Sequence, residues 1–276
     1  MTCWRWALAS WVLMVTLSAA DAPSPGYAAY EKANALFVEK KLPDAMAAVE
    51  EALRLDPRLV PALTLKAKLA MAGFRLDVAR KSLEQALTID PGSQYAQFLY
   101  GLQAYMGNDM KEALPRFRKA RQVAPGDPRA ALYLGLTVES LGQPGEAMSL
   151  YQEAVRLARS TGDLHAETLL PGAKLLLLLD RNDECGQWLK EAAKLSPDSR
   201  DVHFELARLL LKEGNASGAA AEGETALGLS DGVTTDAAIH YLLIRAYRQS
   251  GMMDRAEAHA EIIRAQETPA NRSPVR

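Results

Sequence analysis

The chain has 276 residues, of which 49% are hydrophobic and 24% charged, so it can build a sizeable core and is not a disordered tail. Lysine and arginine number 32 against 34 acidic residues, a net charge of −2, which argues against nucleic-acid binding through a basic surface. Aromatic residues make up only 7%, and the apolar residues are chiefly alanine and leucine, which favour helices. The composition indicates a helical globular protein whose partners are not nucleic acids.

The first twenty residues have the pattern of an export signal. Arg5 and the amino terminus are positively charged, residues 6–20 carry no charge, and Ser18-Ala19-Ala20 offers the small residues of a cleavage site. The apolar run is shorter than the about 20 residues that a membrane span needs. We predict a signal peptide at 1–20, export to the periplasm or the medium, and no membrane span after cleavage. An anchor that is retained uncleaved is the alternative.

Beyond this segment the chain is periodic, with two ladders of alanine and one ladder of proline, each with a step of 34 residues. The members are Ala45, Ala79, Ala113 and Ala147; Ala52, Ala86, Ala120 and Ala154; and Pro57, Pro91 and Pro125. After an insertion of four residues the alanine ladders continue, and a later shift of three residues precedes the last copy. The later members are Cys185 and Ala192, Ala219 and Ala226, and Ala256 and Ile263. Three ladders in phase indicate a repeat architecture.

Each copy carries two stretches in which apolar residues recur every three or four residues, as in amphipathic helices. In the third copy these stretches are 95–105 and 111–123, separated by Gly107-Asn108-Asp109 and closed by Pro125. Pro171 falls early in the fifth copy, and we expect its first helix to begin near Leu170. A row of alanines marks close helix contacts because larger side chains would hold the helices apart. Cys185 stands in that row, which predicts a packing role for it.

These copies resemble the tetratricopeptide repeat (TPR), a helix–turn–helix unit, and in particular its exported bacterial type. In the third copy Tyr100-Gly101, Ala113, Phe117, Ala120 and Pro125 match its pattern. The resemblance implies an all-α, right-handed α-α superhelix, or solenoid, of about seven helix pairs over residues 26–267. The copies lie near 26–59, 60–93, 94–127, 128–165, 166–199, 200–236 and 237–267, after a short linker at 21–25 and before a disordered tail at 268–276.

The sequence shows no arrangement of residues that is typical of catalysis. The four histidines lack metal-binding spacing, and no nucleophile motif, Gly-rich phosphate loop or cysteine pair is present. We therefore expect no enzymatic activity, no cofactor and no metal site. Two alternatives stay open: Cys185 as a reactive nucleophile, and His203 with His240 as a pair that binds a metal or senses pH. Packing of these side chains between helices is the favoured interpretation.

In TPR arrays the first helices line a concave groove, and the resemblance carries its partner-binding positions onto this chain. The apolar front half of the predicted groove comprises Tyr27, Tyr30, Phe37, Met71, Tyr95, Phe98, Leu102, Tyr105 and Met106, and the cationic rear half contains Arg208, Arg245 and Arg248. Aromatic and methionine side chains suit the capture of an apolar segment. Two alternatives stay open: tight coiling buries the front residues against neighbouring first helices, and Glu167, Asp201 and Glu205 neutralise the rear cations.

These features together predict a non-catalytic protein–protein interaction scaffold of the bacterial cell envelope. It would capture a segment of another protein or a peptide in the groove. An accessory or regulatory subunit of an enzyme complex is the alternative, and a homo-oligomer is compatible with either function. The assignment to the envelope rests on analogy at the level of the fold.

Overall fold

The computed structural model of the protein describes residues 24–267, and within this range the chain forms helices and turns without a strand. The predicted all-α repeat fold is confirmed. The predicted signal peptide at 1–20, the first three residues of the linker at 21–25 and the predicted tail at 268–276 lie outside the described residues.

The described residues form fourteen helices that pair in chain order, and the chain divides into two compact units after Pro91. The amino-terminal unit contains α1 (Pro25–Val38), α2 (Leu42–Leu55), α3 (Val60–Ala72) and α4 (Leu76–Ile89). The carboxy-terminal unit contains α5 (Gln94–Met106), α6 (Met110–Val123), α7 (Pro128–Ser140), α8 (Pro144–Thr161), α9 (Ala166–Leu178), α10 (Asn182–Leu195), α11 (Arg200–Lys212), α12 (Ala216–Gly228), α13 (Asp236–Gln249) and α14 (Met253–Glu267). Odd-numbered helices are the first helices of their pairs and even-numbered helices the second.

One residue with a left-handed backbone reverses the chain within each of the seven described pairs. These residues are Lys40, Phe74, Asn108, Gly142, Asp180, Gly214 and Gly251, with φ between 54° and 81°. Prolines then stop the second helices, because proline cannot continue the hydrogen-bonded ladder. Pro57, Pro91, Pro125 and Pro197 each follow the last helical residue by two positions. The predicted helix–turn–helix grammar is therefore present in the folded chain.

The alanine ladders lie in the interior of the helix pairs. Every ladder position from Ala45 to Ala226 is fully buried, including Cys185, and the last two, Ala256 and Ile263, are almost so. Burial raises the pKa of the Cys185 thiol to about 11, so the thiolate needed of a nucleophile is scarce at neutral pH. The packing role predicted for the ladders and for Cys185 is confirmed.

Glycines in three first helices, Gly101, Gly135 and Gly172, lie directly beneath aromatic rings of the second helices, and the ring at Gly172 is that of Trp188. A Cβ atom at Gly101 would come within 2.7 Å of the Phe117 ring, and one at Gly135 within 2.6 Å of Tyr151. These distances are far below a normal carbon–carbon contact. The repeat thus keeps its interhelical distance by matching the smallest residue on one helix to a large ring on the other.

The irregular spacings in the sequence have simple structural outcomes. The four inserted residues correspond to one extra turn of α8, which has 18 residues, ends at Thr161 and is followed by Gly162 with a left-handed backbone. The expectation that α9 begins near Leu170 is wrong, because α9 begins at Ala166 with Pro171 inside it. Proline at the sixth helical position loses only the hydrogen bond to the carbonyl of residue 167, so the helix tolerates it there.

Candidate functional site

In the amino-terminal unit, the predicted groove residues differ in exposure. Tyr27 is exposed, and its ring centroid lies 5.5 Å from that of the half-buried Tyr30. Phe37 packs against the core of α1–α3, and the Lys68 ammonium lies 4.4 Å from its ring centroid. Met71 is only 6% exposed. It belongs to α3, which is apolar on most sides and buried accordingly, so the predicted exposure of Met71 is wrong.

In the carboxy-terminal unit, Phe98 is 5% exposed and therefore does not form the predicted open apolar floor. Its ring lies 5.8 Å from that of Phe117 on α6 and 5.5 Å from that of Tyr133 on α7. The Tyr105 ring meets the same Tyr133 at 6.0 Å, edge to face. Close approach of the neighbouring first helices α5 and α7 buries the Phe98 ring, as the alternative of tight coiling predicted. Tyr133 was not among the residues predicted from the sequence, because it lies one position after a residue assigned to the groove.

The other residues predicted on α5 are half-buried, and one of them borders a pocket. Tyr95, Leu102, Tyr105 and Met106 all belong to this class. The pocket measures about 400 Å³ and is lined by Tyr105, Leu136, Glu139, Ser140, Pro171 and Lys174. Burial raises the pKa of the Tyr105 hydroxyl further above neutrality, and the protonated hydroxyl can donate a hydrogen bond. The pocket thus combines apolar walls with one carboxylate and one ammonium.

Three first helices, α9, α11 and α13, lie side by side and carry the predicted rear cations. We call the residues on them the cationic face: Lys174, Arg208, Lys212, Arg245 and Arg248. Glu205 is 3% exposed; it accepts a hydrogen bond of 2.6 Å from Arg208, and its other oxygen lies 3.8 Å from the Lys174 nitrogen. Burial raises the pKa of Glu205, against the opposing effect of Arg208 and Lys174. The Glu205 carboxylate therefore neutralises part of the positive charge of the cationic face, in agreement with the alternative that acidic residues offset the rear cations.

A second pocket lies on this face, with a volume of about 300 Å³. It is lined by Leu177, Leu178, Arg208, Leu211, Lys212, Leu242 and Arg245. The Lys212 ammonium is fixed at its edge by the Leu177 carbonyl and the Asp180 carboxylate, each at 2.5 Å. The arginines were predicted from the sequence, whereas the leucines were not, because Leu178 and Leu242 lie outside the groove positions carried over from the resemblance.

Asp201 serves the loop before α13 and does not pair directly with the rear cations. Its carboxylate accepts hydrogen bonds from the backbone nitrogens of Val233 and Thr234 at 3.1 and 2.9 Å. Against the opposing effect of burial, these hydrogen bonds and that of the Thr234 hydroxyl hold the pKa of Asp201 below its usual range. The carboxylate is therefore engaged in ordering the loop that joins α12 to α13.

The histidines do not form the pair suggested by their equivalent positions. His203 contacts Glu222 at 2.6 Å and the Pro197 carbonyl at 2.7 Å. His240 meets His259 instead, with 2.9 Å between the two Nδ1 atoms, and the other side of His259 approaches Glu224 at 3.3 Å. Between residues 24 and 267 no group of three or more metal-binding side chains occurs. These histidines accordingly pack between helices.

The two contacts give His203 and His240 opposite responses to acid. Burial lowers the pKa of His240, as does the charge of His259, whereas for His203 hydrogen bonds to Glu222 and Pro197 outweigh burial and raise the pKa. The folded state then takes up fewer protons than the unfolded state at His240, so this site loses stability as the pH falls below about 6.5. His203 contributes stability below about pH 6.5 and loses it as the pH rises through its folded pKa.

We therefore expect His240→Gln to reduce the loss of thermal stability between about pH 7.5 and about pH 5.5, and His203→Gln to increase it. The measurement is the melting temperature of each variant and of the parent at both pH values. Each variant is the other's control, since both replace one partly buried histidine. Shifts of the same sign in both would contradict the assignment of these contacts.

Comparison with known proteins identifies a family to which the chain is similar and solved structures with a similar fold. A family model described as tetratricopeptide repeat matches residues 2–59, 64–120, 107–161 and 188–233. The solved structure of pilF from Pseudomonas aeruginosa is similar with a TM-score of 0.66 and 20% identity, over 75% of this chain and 93% of that one. The structure of a tetratricopeptide repeat protein from Parabacteroides merdae is similar with a TM-score of 0.61 and 16% identity, over 83% of this chain and 86% of that one. No curated protein sequence matches the chain.

The similarity extends to part of a larger protein. Yeast Tom70 gives a TM-score of 0.57 and 19% identity over 82% of this chain, which spans only 45% of Tom70. At these identities the likeness concerns the fold alone. None of the helices between residues 24 and 267 is long and apolar enough to cross a membrane.

Proposed function

This chain belongs to the tetratricopeptide repeat family, and we propose that it is a non-catalytic scaffold of the bacterial cell envelope that holds a segment of a partner protein. Proteins of this family mediate protein–protein interactions and are typically not enzymes. The observation that carries the proposal is the pocket on α9, α11 and α13, whose lining combines four leucines with Arg245, an arginine whose side chain has no ion pair among residues 24–267. A small apolar pocket with a few fixed polar groups is suited to a side chain of a bound ligand.

Export is part of the proposal and is supported by the sequence of residues 1–20. Their positive start, uncharged stretch and small residues before Asp21 are the features of a cleaved signal. The retained cysteine, Cys185, is buried and has no disulfide partner among the described residues. The described residues therefore fold without a disulfide between them, which suits an oxidising compartment as well as a reducing one.

Site-specific photo-crosslinking in a bacterial host tests this function. A photoreactive phenylalanine derivative replaces Tyr241, which is 51% exposed on α13, or Arg156, which is exposed on the second helix α8. We expect a crosslinked partner in the soluble envelope fraction from position 241 and none from position 156, together with a mature amino terminus at or near Asp21. Met1 recovered in a membrane pellet would contradict cleavage and indicate an anchor. Equal crosslinks from both positions would contradict binding at the proposed face.

A further inference from the structure

The cationic face contains two arginines without a partner among the described residues. Arg245 and Arg248 are both exposed on α13, and neither side chain makes an ion pair or hydrogen bond with residues 24–267. They are three residues apart and so project from neighbouring positions on one side of the helix. Arg208 and Lys212, in contrast, each contact a carboxylate. An incoming anionic group can therefore pair with Arg245 and Arg248 without displacing an existing ion pair.

Leucines adjoin these arginines and favour a peptide over other anionic ligands. The about 300 Å³ pocket that Arg245 borders has four leucines in its lining, and one of them, Leu178, is 65% exposed. Its volume is at the lower end of the about 300–1,000 Å³ typical of ligand pockets, enough for one or two apolar side chains. Single-stranded nucleic acid is bound on aromatic stacking platforms, whereas no aromatic residue lines this pocket.

The polar groups of the pocket are already held in place before a ligand arrives. Arg208 is fixed by the buried Glu205, and Lys212 by the Leu177 carbonyl and Asp180. Side chains that are fixed in the free protein lose little conformational entropy on binding. The pocket therefore offers two fixed cations, Arg208 and Lys212, and a third lining cation, Arg245, whose side chain has no ion pair among residues 24–267.

On this basis, and resting on the proposed function, we propose that the captured segment is an acidic peptide. Its Asp or Glu side chains pair with Arg245 and Arg248, and one leucine-sized side chain enters the pocket between α9, α11 and α13. Charge complementarity makes the binding specific for acidic segments, and the leucines that line the pocket provide the apolar contact.

An array of synthetic peptides of randomised sequence, probed with the labelled full-length mature protein, tests the proposal. We expect the bound peptides to be enriched in Asp and Glu relative to the array, and their affinity to fall as the salt concentration rises. For the best acidic peptide, Arg245→Glu/Arg248→Glu should raise the Kd by at least about tenfold in a fluorescence anisotropy titration. Arg245→Lys/Arg248→Lys should retain binding, because the charge is kept.

The matched control is Arg58→Glu/Arg156→Glu, which makes the same change of charge at exposed arginines outside the cationic face. Circular dichroism melts establish that each variant is folded. Enrichment of neutral or basic peptides, or an equal loss of affinity in the control, would overturn the acidic preference while leaving the scaffold function. Absence of any bound peptide would contradict the proposed function itself. If no peptide binds, the protein is tested for self-association and for binding to an oligonucleotide. Loss of either activity in Arg245→Glu/Arg248→Glu would assign the cationic face to a second copy of the chain or to nucleic acid, respectively.

Discussion

Gly135→Ala is expected to lower the free energy of unfolding by roughly 1–3 kcal/mol, although alanine is the better helix former. The new Cβ would lie 2.6 Å from one carbon of the Tyr151 ring and 2.8 Å from another. Tyr151 is fully buried, and its hydroxyl donates a hydrogen bond to Glu139, so the ring has no free space into which to move. The gain in helix propensity is at most about 1 kcal/mol, and the clash outweighs it.

A second substitution in the same contact makes this prediction specific. In the second helix pair the equivalent positions hold Ala67 and Leu83, both buried. Gly135→Ala/Tyr151→Leu should therefore be less destabilised than the sum of its two single variants, which a double-mutant cycle in urea measures. Gly145→Ala is the control, because its Cβ would meet no atom within 4 Å. A Gly135→Ala protein as stable as the parent, or strictly additive effects, would contradict the proposed contact.

The fold could be predicted from the sequence because the helix contacts that define it require small side chains at fixed positions of the repeat. Ala113 and Ala120 recur at a constant step since each touches another helix at close range. The turns were harder to predict from the sequence, because the residue with the left-handed backbone is Lys40 in the first pair and Phe74 in the second. Neither residue type signals a left-handed turn, so only the position in the repeat identifies it.

The candidate site could be predicted in part, because a repeat pattern gives the direction of a side chain and not its depth. Phe98 and Arg245 both occupy first-helix positions assigned to the groove, yet Phe98 is buried and Arg245 is exposed. The difference depends on the neighbours: Tyr133 of the next first helix covers Phe98, whereas α13 is followed by no further first helix among the described residues. Such contacts between copies have no signature in a single sequence.

The sequence placed acidic residues near the cationic face correctly, but it did not predict which of them form ion pairs with the cations. Glu205 lies near Lys174 and Arg208, as their positions suggested, but Asp201 is taken up by the backbone of the loop before α13. Because that loop arises from a local departure from the 34-residue period, the repeat pattern does not predict its contacts.

Phe98→Ala is expected to cost about 3–5 kcal/mol of stability, the range for truncation of a buried phenylalanine. The substitution removes ring contacts to Phe117 and Tyr133 and leaves a cavity between α5, α6 and α7. Tyr105→Ala should cost less, because that ring is half-buried and touches Tyr133 only by its edge. Urea unfolding followed by circular dichroism gives both values.

The location of the damage separates a core role of Phe98 from a role in binding. Each repeat contacts only its neighbours, so hydrogen exchange in the Phe98→Ala protein should accelerate in α5–α8 and remain near the parental rate in α13 and α14. Partner or peptide binding at the cationic face should persist under conditions in which the variant is folded, since Arg245 and the leucine pocket lie on α9, α11 and α13. A Phe98→Ala protein with unchanged stability and lost binding would instead place this ring on the recognition surface.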